Sequence, residues 1–412
     1  MPPPAAASPV LRLFLDPQQT QVDTSFLKTE IPWVDWVRDA SDAQVDLIVT
    51  TKPSGGGGTT YFFRFIGQKE FNGVDDDLTY TATSVATPDD VRHGLANKIE
   101  LGLARYVARG EGSDRMSLKF DGPASQTGNT DAQHDPWNSW VYRVGVNGNY
   151  NGEAQASSSF TSANMSASRI TEDHLFRFNT RGAWIKDRYE IGPGNTLYAT
   201  TSSFRSSVVE AVGINQHWTW GVLGEFHRST RQNLESSYFV APALEYSFWK
   251  YSDSTRRELT FLYQIGAGRN RYFEETILRK TAEPVYRNSL AATLTLNQPW
   301  GSMSASLNGS AHLNNWSAYS VGVNTSVMLH LGRGFSLNFF GDYTKQQDQI
   351  SLPLTAATPD QILLHLTQLP SSYSYFGSIG LSYTFGSIFN NAVNTRFQSA
   401  AGGGSSVIIL SQ

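Results

Sequence analysis

The sequence predicts a transmembrane antiparallel β-barrel of about twelve strands preceded by a small N-terminal α/β domain. Three observations carry this reading. From Trp137 onward, apolar and polar residues alternate in segments of about 10–17 residues. A tilted membrane-crossing strand takes ~9–11 residues, whereas strands of water-soluble proteins most often run ~5–6. Aromatic residues gather near the ends of the apolar faces, and short turns alternate with longer loops.

Composition narrows the alternatives. Of 412 residues, 17% are charged and 12% aromatic, with a net charge of -4. Lys and Arg are scattered, so no phosphate-tracking surface and no nucleic-acid partner is expected. The absence of cysteine removes disulfides, thiolate metal sites and a cysteine nucleophile. No segment approaches the ~20 apolar residues of a spanning helix. The start, MPPPAAASPV, lacks the basic and apolar parts of a secretory signal. That leaves a removed signal, a true start further upstream, or a chain that stays in the cytoplasm. The barrel pattern favours the first two.

Residues 1–120 read as a soluble α/β unit. LRLFLD (11–16) is a short strand, and IPWVDWVRD (31–39) is expected as a helix with Pro32 in its first turn. AQVDLIVTT (43–51) sets Val45, Leu47 and Val49 against Asp46, Ile48 and Thr50, and TTYFFRFIG (59–67) and LTYTATS (78–84) are further strands. Thr87 then caps a helix with Pro88 in its first turn and Asp89 and Asp90 at the positive dipole end. Val91, Leu95, Ile99, Leu103, Tyr106 and Val107 form its apolar stripe. Residues 121–136 hold few apolar side chains and many turn formers and read as a linker.

The barrel is placed at 137–390 and a tail at 391–412. Its alternation runs from Tyr142, Val144 and Val146 against Arg143 and Asn147, through Phe176 and Trp184 against Arg177 and Arg181. It continues to Phe335, Phe339 and Tyr343 against Asn338 and Asp342. Segments 157–171 and 196–209 show it less sharply. Short turns are expected at 171–173, 213–216, 252–255, 298–301 and 332–334, and long loops at 270–287 and 345–372. The large residues are assigned to lipid, with Trp218, Trp220, Phe335, Tyr343, Tyr373, Tyr383 and Phe385 as membrane-facing aromatics. Open edges would leave backbone groups unpaired in hydrocarbon, so closure is expected.

The terminal strand YSYFGSIGLSYTF (373–385) and the following NNAVNTRF, which ends on Phe397, resemble those of bacterial outer-membrane β-barrel proteins. The resemblance spans about 137–397. It implies outer-membrane lipid as neighbour and an assembly signal at Phe385 or Phe397. Residues 1–120 resemble the small periplasmic α/β domains attached to such barrels, which implies a periplasmic location and a protein partner reached through them.

The small residues are assigned to the lumen, where Arg143, Arg177, Arg181 and Arg205 line one wall. Glu225, His227, Glu245, Glu258 and Asp342 line the rest. Opposed charges would either set up a transverse field that orients a polar solute, or pair and plug the lumen. His227 and Ser229 share a strand face, but that face is the lumen, whereas a hydrolase of bilayer lipid needs them outward. PSGGGGTTY (53–61) lacks the Lys-Ser or Lys-Thr of a phosphate loop and reads as a flexible hairpin connection. GVDDDL (73–78) lacks the spaced ligands of a calcium loop. His365 in QILLHLTQL (361–369) is placed on a short amphipathic helix. No catalytic constellation, metal set or cofactor motif emerges. Three functions follow from this reading: a narrow pore for small polar solutes gated or served by the first domain, a plugged barrel anchoring that domain for a partner, and, third, a membrane-embedded hydrolase.

Overall fold

The structure is a computed structural model. It describes residues 11–110, 113–115, 137–355, 366–389, 391 and 393, except positions 19, 56, 172, 191, 193–195 and 333. The expected linker at 121–136, the helix expected around His365, and Phe397 lie outside the described residues.

The first domain comprises β1 (Leu11–Asp16), α1 (Thr24–Glu30), β2 (Val34–Val37), β3 (Val45–Pro53), β4 (Thr59–Gly67), β5 (Asp75–Ala82) and α2 (Pro88–Val107). Its strands form one mixed sheet in the order β2-β1-β3-β4-β5, with β1 parallel to both of its neighbours. α2 begins in a capping box in which Thr87 and Asp90 satisfy each other's backbone N–H groups. Leu95, Ile99, Leu103 and Tyr106 then bury one stripe against Leu13, Val45, Leu47, Phe63 and Phe65.

Two expectations about this domain change. IPWVDWVRD is not a helix: Val34–Val37 pair with Leu11–Phe14 as a parallel edge strand, burying Val34, Trp36 and Val37. The helix lies just before it, started by Asp23, whose side chain accepts from the Phe26 N–H. β5 also starts earlier than Leu78, because the ladder to β4 continues to Asp75 opposite Ile66.

The second unit is a sheet of twelve strands: β6 (Trp140–Gly152), β7 (Ala156–Ile170), β8 (His174–Glu190), β9 (Thr196–Gly213), β10 (Trp218–Ser229) and β11 (Leu234–Ser247), followed by β12 (Arg257–Tyr272), β13 (Ala282–Gln298), β14 (Gly301–His312), β15 (Asn315–Gly332), β16 (Phe335–Gln346) and β17 (Tyr373–Tyr383). Each strand pairs antiparallel with its neighbours in sequence. At the near rim the connections are 171–173, 214–217, 248–256, 299–300 and 333–334. The turn expected at 252–255 is part of a longer connection that contains a short 3-10 turn, Tyr251–Asp253.

At the far rim the connections run from the tight 313–314 to the long 347–372. The long loop expected at 270–287 shrinks to 273–281, since the ladder continues to Arg271 opposite Ala282. Within 347–372, the Ser351 carbonyl accepts from Asn233 Nδ2 (3.0 Å) and the Gln368 N–H donates to the Arg231 carbonyl (2.9 Å). The loop that leaves β16 thus lies over the connection between β10 and β11, on the far side of the sheet.

One small domain touches the near rim along the whole sheet. Arg143 on β6 donates to the Gly57 carbonyl (2.8 Å), Gln18 Nε2 to Gln298 O at the end of β13 (2.7 Å), and Arg38 to Phe385 O beyond β17 (3.3 Å). Laid flat, twelve strands would span ~50 Å, more than a domain of radius of gyration ~13 Å can reach. The sheet is therefore curved, which brings the near-rim ends of β6, β13 and β17 within reach of one domain. Its edges, β6 and β17, share no backbone pairing. Every residue of β17 is exposed on both faces, and Gly377 and Gly380 offer no side chain to fix a register there.

Gly102 of α2 tests the packing of the first domain. A Cβ there would stand 2.1 Å from the buried Phe65 ring. Helix propensity alone makes Gly→Ala stabilising by ~0.5–1 kcal/mol. Gly102→Ala is expected instead to destabilise by ~1–3 kcal/mol through overpacking. A lower urea midpoint for loss of protease resistance in residues 11–110 bears this out, and a higher one refutes it.

Candidate functional site

The extended backbone and continuous pairing of β6–β10 give their shared sheet an inner and an outer face. The inner face bounds a cavity of about 1260 Å³ lined by Arg143, Arg181, Arg205, His227 and Arg231, with Ser, Thr and Asn between them. Register builds its centre. Asn164 lies opposite Arg181, Arg181 opposite Arg205, and Arg205 opposite His227, making one row across β7, β8, β9 and β10. Cross-strand partners on one face stand ~4.5–5.5 Å apart at Cβ, and like charges directly opposite each other are destabilising. Among the described residues no carboxylate forms an ion pair with Arg143, Arg181, Arg205 or Arg231. Arg181 instead stands 5.9 Å from the Phe160 ring centroid.

Arg231 and Gln368 reach the cavity from far-rim connections, and no residue pattern announced them. Arg177 shares the inner face of β8 but lies nearer the near rim and outside the lining. Glu225 precedes His227 by one inward step on β10 and is also outside the lining. The remaining acids face other partners. Glu258 pairs with Lys52 of the first domain (3.3 Å), and Glu245 accepts from the Tyr251 hydroxyl (2.9 Å). Asp342 lines a second cavity of about 370 Å³ and accepts from Asn324 Nδ2 (3.4 Å). None of these acids pairs with the predicted arginines, so the described contacts contain no cross-lumen ion-pair plug. Ser229 lines the first cavity, where its Oγ accepts from the Gln232 N–H (3.3 Å) rather than bonding to His227.

Trp218, Trp220, Phe335, Tyr343, Tyr373, Tyr383 and Phe385 all lie exposed. Phe335 stacks on Tyr383 with centroids 4.2 Å apart, near the rim that the first domain covers. Tyr343 and Tyr373 stand toward the opposite ends of β16 and β17.

The first domain's sheet covers the near rim with the face that α2 leaves free. Asp46, Ile48 and Thr50 of β3 are buried, although they alternate with the core positions. β1 sends Phe14 and Asp16 the same way. Phe14 packs edge-on against His330 of β15, and Asp16 Oδ2 lies 3.6 Å from His330 Nδ1. Gln18 Nε2 ties Asp16 (2.7 Å) to the Gln298 carbonyl. A cavity of about 270 Å³ remains between Arg64 and Asp77 of this sheet and Thr255, Arg256 and Asn297 of the rim. The glycine-rich stretch docks rather than merely turning. A Cβ on Gly55 would stand 3.1 Å from the Ile170 carbonyl oxygen, and Gly57 has a φ of +72° beside Arg143.

Burial, helped by the neighbouring Asp16 carboxylate and partly offset by Arg64, pushes the Asp46 carboxyl up to about 7. Burial raises Asp16 as well, against the Gln18 hydrogen bond and His330. Among the described residues there is no group of three or more His, Asp or Glu side chains able to hold a metal ion. No protein-family model matches the chain, and no curated protein is similar to it in sequence.

The folded chain holds the Asp46 proton up to about pH 7, whereas an unfolded aspartate releases it near pH 4. The folded state thus binds more protons across that window, and its stability falls as pH rises from ~4 to ~7. Asp46→Asn is expected to flatten this loss, raising the stability of residues 11–110 at pH 8 by up to roughly 4 kcal/mol and little at pH 4. Pulse proteolysis in urea at the two pH values measures it; equal effects at both would show that Asp46 is not the titrating group.

Proposed function

We propose that the twelve-stranded sheet is an outer-membrane barrel that passes small polar solutes, with the five-stranded domain as its periplasmic gate. The observation that carries this reading is the seating of one folded domain across the near rim, where its Gly57 carbonyl accepts from Arg143 in the wall of the cavity of about 1260 Å³. The outer face supports the membrane setting. Val144, Val146 and Tyr150 on β6 and Tyr375, Ile379 and Leu381 on β17 are each more than half exposed. Trp220, Val240, Tyr263, Leu290 and Leu307 on strands between them are exposed as well, a display of large apolar side chains that marks a protein or membrane contact. In hydrocarbon the free edges of β6 and β17 must find backbone partners. The reading therefore includes their pairing with each other in the bilayer.

A second reading draws on the coverage of both ends. The first domain sits across the near rim, while Ser351 and Gln368 of the connection after β16 bond to the β10–β11 connection at the far one. A barrel closed at both ends would serve as a membrane anchor that holds the domain for a periplasmic protein.

Gly55→Val separates the two, because the added side chain meets Ile170 and prises the domain from β7. Both proteins would be refolded, shown to be folded by heat-modifiable migration, and placed in a planar bilayer. The gated pore predicts low or flickering conductance in the parent and a several-fold higher open probability in the variant. Two folded but silent barrels would overturn the pore and favour the anchor.

A further inference from the structure

We infer that the row Asn164–Arg181–Arg205–His227 is a binding site for an anionic, hydroxyl-rich solute of the sugar-acid class. The inference deepens the passage reading and rests on it for the solute's route across the membrane.

The argument starts from a local cost. Arg181 and Arg205 are direct cross-strand partners on one face, and Arg143 and Arg231 line the same cavity. Four guanidinium groups around one space repel one another, and among the described residues no carboxylate neutralises them. The lining itself contains no Asp or Glu. On these strands Asp187 and Glu225 occupy inward positions at its margins, each one inward step beyond a lining residue. An uncompensated charge row in an otherwise consistent sequence is the signature of a functional site.

The chemistry of the row defines its ligand. Guanidinium forks bind carboxylates with two parallel hydrogen bonds, and such charge-assisted bonds are about twice as strong as neutral ones. The inward residues between the arginines on β7, β8 and β9 include Ser203, Ser207, Asn164 and Asn179. These short side chains donate and accept, and they suit a ring of hydroxyls better than a bare inorganic anion. The volume of about 1260 Å³ exceeds what one small anion fills, and it lies in the range of ordinary small-molecule sites or just above.

The test uses D-glucuronate, with D-glucose as its uncharged counterpart and inorganic phosphate as an anion without a polyol. Binding to the refolded full chain in detergent is measured by calorimetry at low and high salt. Glucuronate is expected to bind at least ~10-fold tighter than glucose, with the advantage shrinking in salt. It should also bind tighter than phosphate. Arg181→Gln and Arg205→Gln, each made singly and checked by heat-modifiable migration, should each remove most of that preference. Arg177→Gln, which removes the same charge from the same face outside the cavity, should keep it. Equal binding of glucuronate and glucose, or a preference that survives both cavity substitutions, would overturn the inference, and so would phosphate binding as tightly as glucuronate. Binding is read without a membrane, so a silent bilayer with intact glucuronate binding would sink the passage and leave the site standing.

Discussion

Eleven successive antiparallel ladders keep one parity, and a slip of one residue at any of them would turn a whole strand inside out. Irregularities in register fall near strand ends, between His227 and Ser229, Leu234 and Ser236, Ala311 and His312, and His330 and Gly332. Between those ends the pairing is continuous on β7–β9, so a residue's inward or outward direction follows from counting along its strand. The arginine row and the exposed aromatic face both follow from that order. Arg181 meets Arg205, and Trp184 stays outside, because the same ladder fixes both.

The first domain depends on the sheet in turn. An α/β sheet covered by helices on one side leaves its second face in need of a partner. Here that face rests on the near rim, which buries Asp46, Ile48 and Thr50. Polar groups buried this way are costly unless they are paired or neutral. The rim meets part of the requirement through the Gln18 link to Gln298 and the His330 ring beside Asp16, while Asp46 meets it by retaining its proton. Contacts of this kind suit a joint that separates more easily than an apolar core, because water can replace each partner.

Much of the sheet was legible because period two is written directly into the chain. Counting parity placed Arg143, Arg181, Arg205 and His227 on one face, where they do line one cavity. Arg231 and Gln368 were not legible, since connections carry no period and their positions depend on where a distant loop comes to rest. The segment 31–39 misled because Pro32 suits the start of a helix as well as the approach to a strand. Parallel pairing with β1 decided the matter. Asp46 alternates with Val45 and Leu47 like any solvent-facing residue, and nothing local reveals that a rim formed by residues some two hundred positions later will cover it. The closure of the sheet was expected from the physics of lipid, yet β6 and β17 remain unjoined.

The segment after β17 returns to the beginning of the chain. Phe389 bridges Val37, the Arg38 N–H donates to the Ile388 carbonyl (3.1 Å), and Asn391 Nδ2 donates to Asp35 (2.7 Å). These pairings add to the free edge of β2 and join positions separated by most of the sequence. Loop-closure entropy grows with the length enclosed, and structures dominated by distant pairings fold slowly. The edge of β2 therefore waits for its neighbour until the segment that follows β17 is present. An exposed strand edge over that interval is a template for wrong pairing. The order of birth along the chain thus leaves the first domain with one unguarded edge until the last strand has passed.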